Sequence, residues 1–254
     1  MEIENIPLFS YFGNKDNEIE TIKNNLPNMS HIDTIIEPYC GSFALTRYLL
    51  TQYPDKTYIC NDNDELLIKT YQTLQDNKKC QQLINFYKRF GIKDKTHYDS
   101  FKKENSVKSY LFTHIIYRIH YGMYDENKKR FNEKDINRLI HFNKNYKHVK
   151  FTCGDASIII NKYINKSKTF LFLDPPFLLT SSFYSFAKSE DLESFFKVLM
   201  NINNYKSKIL AVCGDNFLLI PFYEKYKIKI KFKTTINYRG NTNNKHENIY
   251  VANY

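Results

Sequence analysis

The sequence predicts an α/β fold: a mostly parallel sheet with a C-terminal antiparallel hairpin, joined to a mainly helical inserted domain. Three observations predict it. Short apolar runs alternate with helical patterns over the first 75 residues, this rhythm stops over residues 78–148, and it resumes from residue 149. The last quarter then changes to a period of two.

Taken in order, Thr34–Glu37 reads as a strand, Ser42–Gln52 as a helix, Thr57–Asn61 as a strand and Leu66–Leu74 as a helix. In the middle, Val107–His120 is helical, with Leu111, Phe112, Ile115, Ile116 and Ile119 forming the insert's own core, and Gly122–Asn132 is polar and turn-rich. Strands follow at Val149–Cys153, Thr169–Leu173 and Lys208–Cys213, with helices starting near Ser157 and Ser189. Tyr226–Tyr238 alternates lysines with Ile228, Ile230 and Phe232, and Asn248–Asn253 is its hairpin partner. The expected division is therefore 1–77 and 149–254 as one domain, with 78–148 inserted into it.

Charge follows the same division. The 254 residues carry 37 Lys+Arg against 27 Asp+Glu, a formal +10, yet residues 78–150 hold 18 of the basic and 7 of the acidic residues. The remainder is nearly neutral. A basic insert that meets a polyanion accounts for this, as does a solvated lysine-rich surface, since 31 of the 37 basic residues are lysine. No apolar run approaches the roughly 20 residues that cross a bilayer, and Met1–Glu4 lacks the basic-then-apolar start of a secretion signal. No membrane association is expected, and the chain is expected in a reducing compartment, the cytoplasm of a bacterium or of a host cell, and not secreted. Cysteines 40, 60, 80, 153 and 213 form no CxxC pair, so reduced thiols are expected rather than a metal site or disulfides. His114 and His120 lie six apart and share no helical face for a metal.

The chemistry is carried at strand ends. Phe170–Leu173 stops in Asp174-Pro175-Pro176-Phe177; proline cannot donate to a sheet ladder, so the chain leaves the sheet and displays a carboxylate at a carboxyl end, where open α/β sheets bind ligands. A carboxylate, a free carbonyl and a flat apolar ring suit the amino group of a planar base. In isolation the same tetrapeptide would serve simply to end a strand; its companions distinguish the two readings. Glu37-Pro38-Tyr39-Cys40-Gly41-Ser42 places Gly41 at a tight turn opening a helix, Asn61-Asp62-Asn63-Asp64 ends the second strand about 20 residues later, and Cys153-Gly154-Asp155 supplies a third acidic end. Without GxGxxG or a phosphate loop, these ends favour a ligand with a ribose and no pyrophosphate, a description that S-adenosylmethionine fits.

With Tyr11-Phe12-Gly13-Asn14-Lys15, Tyr121-Gly122-Met123-Tyr124, Arg130-Phe131-Asn132 and the closing Glu247–Tyr254, these motifs, in this order, resemble the Dam-type, D12-class DNA adenine-N6 methyltransferases across nearly the whole chain. The resemblance implies a Rossmann-like S-adenosylmethionine-dependent methyltransferase fold, with 78–148 as target-recognition domain. It implies transfer of a methyl group from S-adenosylmethionine, without a metal, to the N6 amine of an adenine flipped out of double-stranded DNA. Tyr11 and Lys15 would meet the cofactor's methionyl end, Glu37 and Gly41 would line its turn, Asp62 would take the ribose hydroxyls and Asp155 the adenine amine. Asp174, Pro175, Pro176 and Phe177 would hold the target adenine, with Asp174 also beside the cofactor. Tyr124, Asn127, Lys128, Lys129, Arg130 and Asn132 would contact DNA. A cognate restriction endonuclease acting on the same site would be the partner. Asn14 replaces a usual glycine, Phe43 stands near another, Phe177 replaces a usual tyrosine, and Asp125 sits where an arginine is common. An RNA adenine-N6 methyltransferase, or a catalytically inactive DNA-binding relative, would share many of these residues.

Overall fold

The computed structural model describes residues 5–9, 11, 14–116, 127, 129–175, 189–214, 219–237 and 245–254. In chain order the elements are α1 (Ile19–Lys23), β1 (Thr34–Glu37), α2 (Ala44–Gln52), β2 (Thr57–Asp62), α3 (Glu65–Gln75), α4 (Asn77–Tyr87), α5 (Lys95–Lys103) and α6 (Val107–Ile116). They continue with α7 (Glu133–Asn145), β3 (Lys150–Cys153), α8 (Ala156–Tyr163), β4 (Thr169–Leu173), α9 (Ser189–Met200), β5 (Lys208–Gly214), α10 (Leu219–Lys225), β6 (Ile230–Asn237) and β7 (Lys245–Ala252). The chain forms a mixed, mostly parallel sheet with helices, and no described helix is long and apolar enough to cross a membrane.

Two compact units divide the chain: Met1–Asp16, Gly41–Asp55 and Asp64–Cys153 form one, and Asn17–Cys40, Lys56–Asn63 and Gly154–Tyr254 the other. In the first of these units α2 and α3 group with the helices of residues 78–148.

The second unit holds strands in the order β2-β1-β4-β5-β7-β6. β2, β1, β4 and β5 run parallel, and β7 is antiparallel to both β5 and β6. All five residues of β4 are buried, as a strand in the middle of a parallel sheet requires. Ile36, Ile59, Leu171, Leu173, Ile209, Ala211 and Val251 pack on one face against Ala156 and Ile160 of α8 and Phe195, Val198 and Leu199 of α9. Each such aliphatic or aromatic side chain contributes roughly 1.5–3 kcal/mol on leaving water.

The expected strand at Tyr226–Tyr238 begins only at Ile230. Before it, α10 closes with Lys227 at φ +52, the Lys227 amide donating to Glu224 O and the Ile228 amide to Tyr223 O. That is a left-handed helix cap with its buried apolar residue, Ile228, and it takes the first lysines of the alternation out of the sheet.

The first unit is helical apart from β3. Asp64, Asp76 and Asp94 cap α3, α4 and α5 with side-chain oxygens that accept first-turn amides. Its interior is aromatic: Phe86, Phe90, Phe101 and Phe112 cluster beside Tyr87, with Phe86 stacked on Phe90 and Phe112 edge-on to Phe101. Leu111, Phe112, Ile115 and Ile116 of α6 are buried, as expected of the insert's core; Ile119 and His120 lie outside the described residues.

Candidate active site

The structure divides the described site residues into two groups, one in each unit. In the sheet unit, Glu37 closes β1 and is buried, its backbone in register with Cys60 of β2. Asn61 staples three strand ends together: its Nδ2 donates to Pro38 O at 3.1 Å and to Gly154 O at 2.8 Å, and its carbonyl accepts the Cys40 amide at 2.8 Å. The Gly154 amide donates to Asp62 O at 3.0 Å, with Gly154 at φ +143, a conformation that only glycine adopts without strain. Asp62 and Asp155 are thus brought to neighbouring loops. Asp155 is exposed and caps α8, its Oδ1 accepting the Ser157 amide at 2.7 Å. Burial pushes the Cys40 thiol well up, and Cys60, Asp62 and Glu37 push in the same direction.

Asp174 follows the last residue of β4 and is half-buried, and Pro175 is buried. Leu173 lies opposite Ala211, so continuing the register sets Asp174 alongside Val212, whose antiparallel partner is Tyr250. Burial, then Glu18 and Asp174, hold the Tyr250 hydroxyl neutral far beyond its usual range. Glu18 is itself buried and accepts hydrogen bonds from Tyr250 at 2.7 Å, from Asn248 at 3.1 Å and from Thr234. Pro176 and Phe177 lie outside the described residues.

In the helical unit, Tyr11 and Gly41 are brought together. Gly41 has φ +44, and a Cβ there would lie 2.9 Å from Tyr11 Cδ1. The Tyr71 hydroxyl donates to Gly41 O at 2.8 Å and fixes the turn. Lys15 is buried. Phe43, two residues on, also has a left-handed backbone at φ +44, which delays the start of α2 from the expected Ser42 to Ala44.

The basic segment is anchored by its backbone. The Ile92 amide donates to Lys129 O at 2.9 Å, Phe131 stacks on Tyr87 with ring centroids 4.2 Å apart, and the Arg130 side chain crosses Gly91, where a Cβ would lie 2.7 Å from its Nε. Asn127 and Arg130 are exposed and Lys129 is half-buried. Asn132 is engaged locally: it caps α7 in a reciprocal box with Asp135, at 2.9 and 3.1 Å. Tyr124, Asp125 and Lys128 lie outside the described residues, as do Phe12 and Gly13.

Sequence reasoning missed Asn61, Asp16, Arg47 and Glu18. A lone arginine within the apolar Ala44–Gln52 helix was the one local signal among them. No disulfide joins any of the five cysteines, and Cys153 is the exposed one.

The sequence matches the family model described as D12 class N6 adenine-specific DNA methyltransferase over residues 11–121 and 116–236. It is 27% identical over 282 residues to the type II methyltransferase M.MjaIII of Methanocaldococcus jannaschii, covering 94% of this chain and 95% of that protein. It is 28% identical over 261 residues to the type II methyltransferase M.CviBI of Paramecium bursaria Chlorella virus NC1A, covering 89% and 92%. Among solved structures, the METTL16 MTase domain aligns with a TM-score of 0.45 at 8% identity, covering 94% of this chain and 67% of that one.

Proposed function

Since this chain belongs to the family of D12 class N6 adenine-specific DNA methyltransferases, we propose that it transfers a methyl group from S-adenosylmethionine to an adenine flipped out of duplex DNA, with Asp174-Pro175-Pro176-Phe177 holding the base. The observation that carries this reading is the position of Asp174, half-buried directly after a fully buried parallel strand and near enough for its charge to act on the Tyr250 hydroxyl.

The Asp174 carboxylate and the Pro175 carbonyl accept the two N6 hydrogens of the adenine, and Phe177 covers its ring. Two acceptors draw the N6 lone pair out of conjugation and aim it. The Asp174 charge would then stabilise the positive charge that grows on N6 as the carbon–nitrogen bond forms and the methyl group's bond to the cofactor sulfur breaks, and one N6 proton would afterwards leave past the Asp174 carboxylate to water. This is alignment and electrostatic preorganisation more than proton abstraction.

The cofactor supplies an electrophilic methyl group when bound. The residues present fit it: Gly41 leaves no room for a side chain beside Tyr11 and brings bare backbone to the turn, Lys15 offers a buried cation for a carboxylate, and Asp62 and Asp155 offer acceptors for ribose hydroxyls and an adenine amine. Glu37 closes β1 and lies four residues before the turn in sequence. The excess of basic residues in 78–150 supports its reading as the DNA-contacting recognition domain, with Asn127, Lys128, Lys129, Arg130 and Tyr124 on DNA and Asn132 shaping the segment through its cap. The name type II methyltransferase carried by both relatives supports a cognate endonuclease as partner, and action on DNA supports a location in the reducing compartment that holds it.

The test is methyl transfer from labelled S-adenosylmethionine to duplex DNA and to RNA, with Asp174→Ala alongside. Label in DNA adenine that vanishes in the variant is the expected result. Label only in RNA, or duplex binding with no label in any polymer, would overturn the reading.

A further inference from the structure

A closed polar ring lies between the Tyr11–Lys15 segment and the Gly41 turn, and none of its members is among the residues assigned above. Its centre is Arg47, whose side chain is 1% exposed in a helix with no other charged residue. The guanidinium uses its whole fork: Nε donates to Ser42 O at 3.2 Å, Nη1 to Asn5 Oδ1 at 2.8 Å, and Nη2 to Asp16 Oδ1 at 2.6 Å. Asp16 in turn takes Asn14 Nδ2 on its other oxygen at 2.6 Å. Asn14 Oδ1 accepts from the Ser42 hydroxyl at 3.0 Å and from the Asp16 amide at 3.1 Å, which closes the ring.

A charge this deep is retained only where its partners are held in place, and its removal leaves the half-buried Asp16 carboxylate and the buried Ser42 carbonyl unmatched. The ring's geometry has a directional consequence. Asn14 and Asp16 flank Lys15 and follow Tyr11, Ser42 follows Gly41, and a Cβ at Gly41 would already touch the Tyr11 ring. The separation of the two backbone segments therefore depends on the Arg47–Asp16 pair.

We infer that Asp16 and Arg47 are positioning residues for the cofactor: their ion pair, completed by Asn14 and Ser42, sets the distance between the Tyr11–Lys15 segment and the Gly41 turn, and so tunes cofactor affinity without taking part in methyl transfer. The inference rests on the reading that these two segments hold S-adenosylmethionine. Lysine at position 47 carries the charge but cannot span three divergent acceptors. Asparagine at position 16 keeps the shape and loses the charge.

The experiment titrates S-adenosylmethionine into the full-length wild type, Asp16→Asn, Arg47→Lys and the milder Asn14→Ala by calorimetry, with kcat at saturating cofactor, Kd for duplex DNA and Tm measured alongside. Misplacement of one segment by a fraction of an ångström is expected to raise the cofactor Kd about tenfold in Asp16→Asn and Arg47→Lys, and less in Asn14→Ala, with kcat and the DNA Kd within about twofold of wild type. Unchanged cofactor affinity in any of the three that keeps a cooperative thermal transition overturns the inference, as does a fall in kcat with cofactor affinity intact. Asp62→Ala and Tyr11→Ala separate the two levels. If both bind cofactor as the wild type does, the reading of the site itself fails; if both weaken binding while the ring variants do not, only the positioning role fails.

Discussion

The ring of Phe43 stands edge-on to that of Tyr71, with centroids 5.1 Å apart and planes at 78°, while the Phe43 backbone itself holds φ +44. Tyr146, Phe142 and Phe151 close the box with further edge contacts at 5.2, 5.9 and 5.3 Å. A left-handed phenylalanine costs about 1–2 kcal/mol, and each edge contact returns about 0.5–1.5 kcal/mol beyond area burial. The box wins, which explains how a bulky residue holds a left-handed backbone at the start of α2.

That comparison orders two substitutions. Phe43→Ala loses the ring and keeps the strained backbone, and is expected to cost about 3–5 kcal/mol in urea unfolding. Phe43→Gly loses the ring but relieves the backbone, and is expected to cost about 1 kcal/mol less. If glycine proves as harmful as alanine, backbone strain plays no part at this position.

Gly41→Ala sets a methyl 2.9 Å from Tyr11 Cδ1 at a backbone angle alanine resists. A loss of about 1–2 kcal/mol in stability and a weaker S-adenosylmethionine Kd are expected, by unfolding and calorimetry. Adding Tyr11→Ala should recover part of the stability, because it removes the steric component and leaves the angle. No recovery would show that the ring does not limit the turn.

Glu18 is the acceptor for three side chains from β6 and β7. Glu18→Ala leaves Tyr250, Asn248 and Thr234 with buried, unmatched groups and is expected to cost about 3 kcal/mol, whereas Tyr250→Phe removes one donor and should cost about 1 kcal/mol. Denaturant midpoints at constant m-value check both. Equal costs would mean that Glu18 acts through Tyr250 alone.

Burial raises the thiol of Cys80 to about 11 and that of Cys213 to about 12, and the Tyr146 hydroxyl to about 12. An acid neutral in the fold but ionised in the unfolded chain favours unfolding once the pH exceeds its unfolded value. Stability contributed by these thiols is therefore whole below pH about 8.5 and falls as the pH rises towards 11. Urea midpoints at pH 8 and pH 10.5 should show this drop, and Cys80→Ala with Cys213→Ala should flatten it. At pH 8 Cys153 is expected to react first with a thiol reagent, being exposed where the other four are buried.

Arg130 crosses Gly91, so Gly91→Ala must push its guanidinium aside. Both Arg130→Ala and Gly91→Ala are expected to weaken duplex binding, and Arg130→Ala should shorten the slope of log K against log salt by about 0.9, one phosphate contact. An unchanged slope would remove Arg130 from the DNA contacts.

Local rules made much of this protein legible. The Phe170–Leu173 run could only be a buried strand, and the prolines at 175 and 176 had to end it, so Asp174 was identifiable as a displayed carboxylate before any contact was known. Where local rules compete, the reading drifted. The lysine alternation suggested a strand from Tyr226, yet the chain's return at Lys227 and the burial of Ile228 kept those residues with α10. The cap that Asn132 forms with Asp135, three residues on, was likewise not singled out in the sequence.

By itself the sequence determined the strand and helix rhythm, the acidic strand ends and the family, because apolar period, turn residues and short motifs act between neighbours in the chain. Only the tertiary structure decided that Asn61 ties three strand ends together, that Arg47 pairs with Asp16, 31 positions away, and that Glu18 meets Tyr250, 232 positions away. It also decided that α2 and α3 fall in one compact unit with the helices that follow them. The physical reason is the same in each case. A buried polar group or an amphipathic helix takes whichever partner satisfies it in space, and nothing in the residues beside it specifies which distant partner that is.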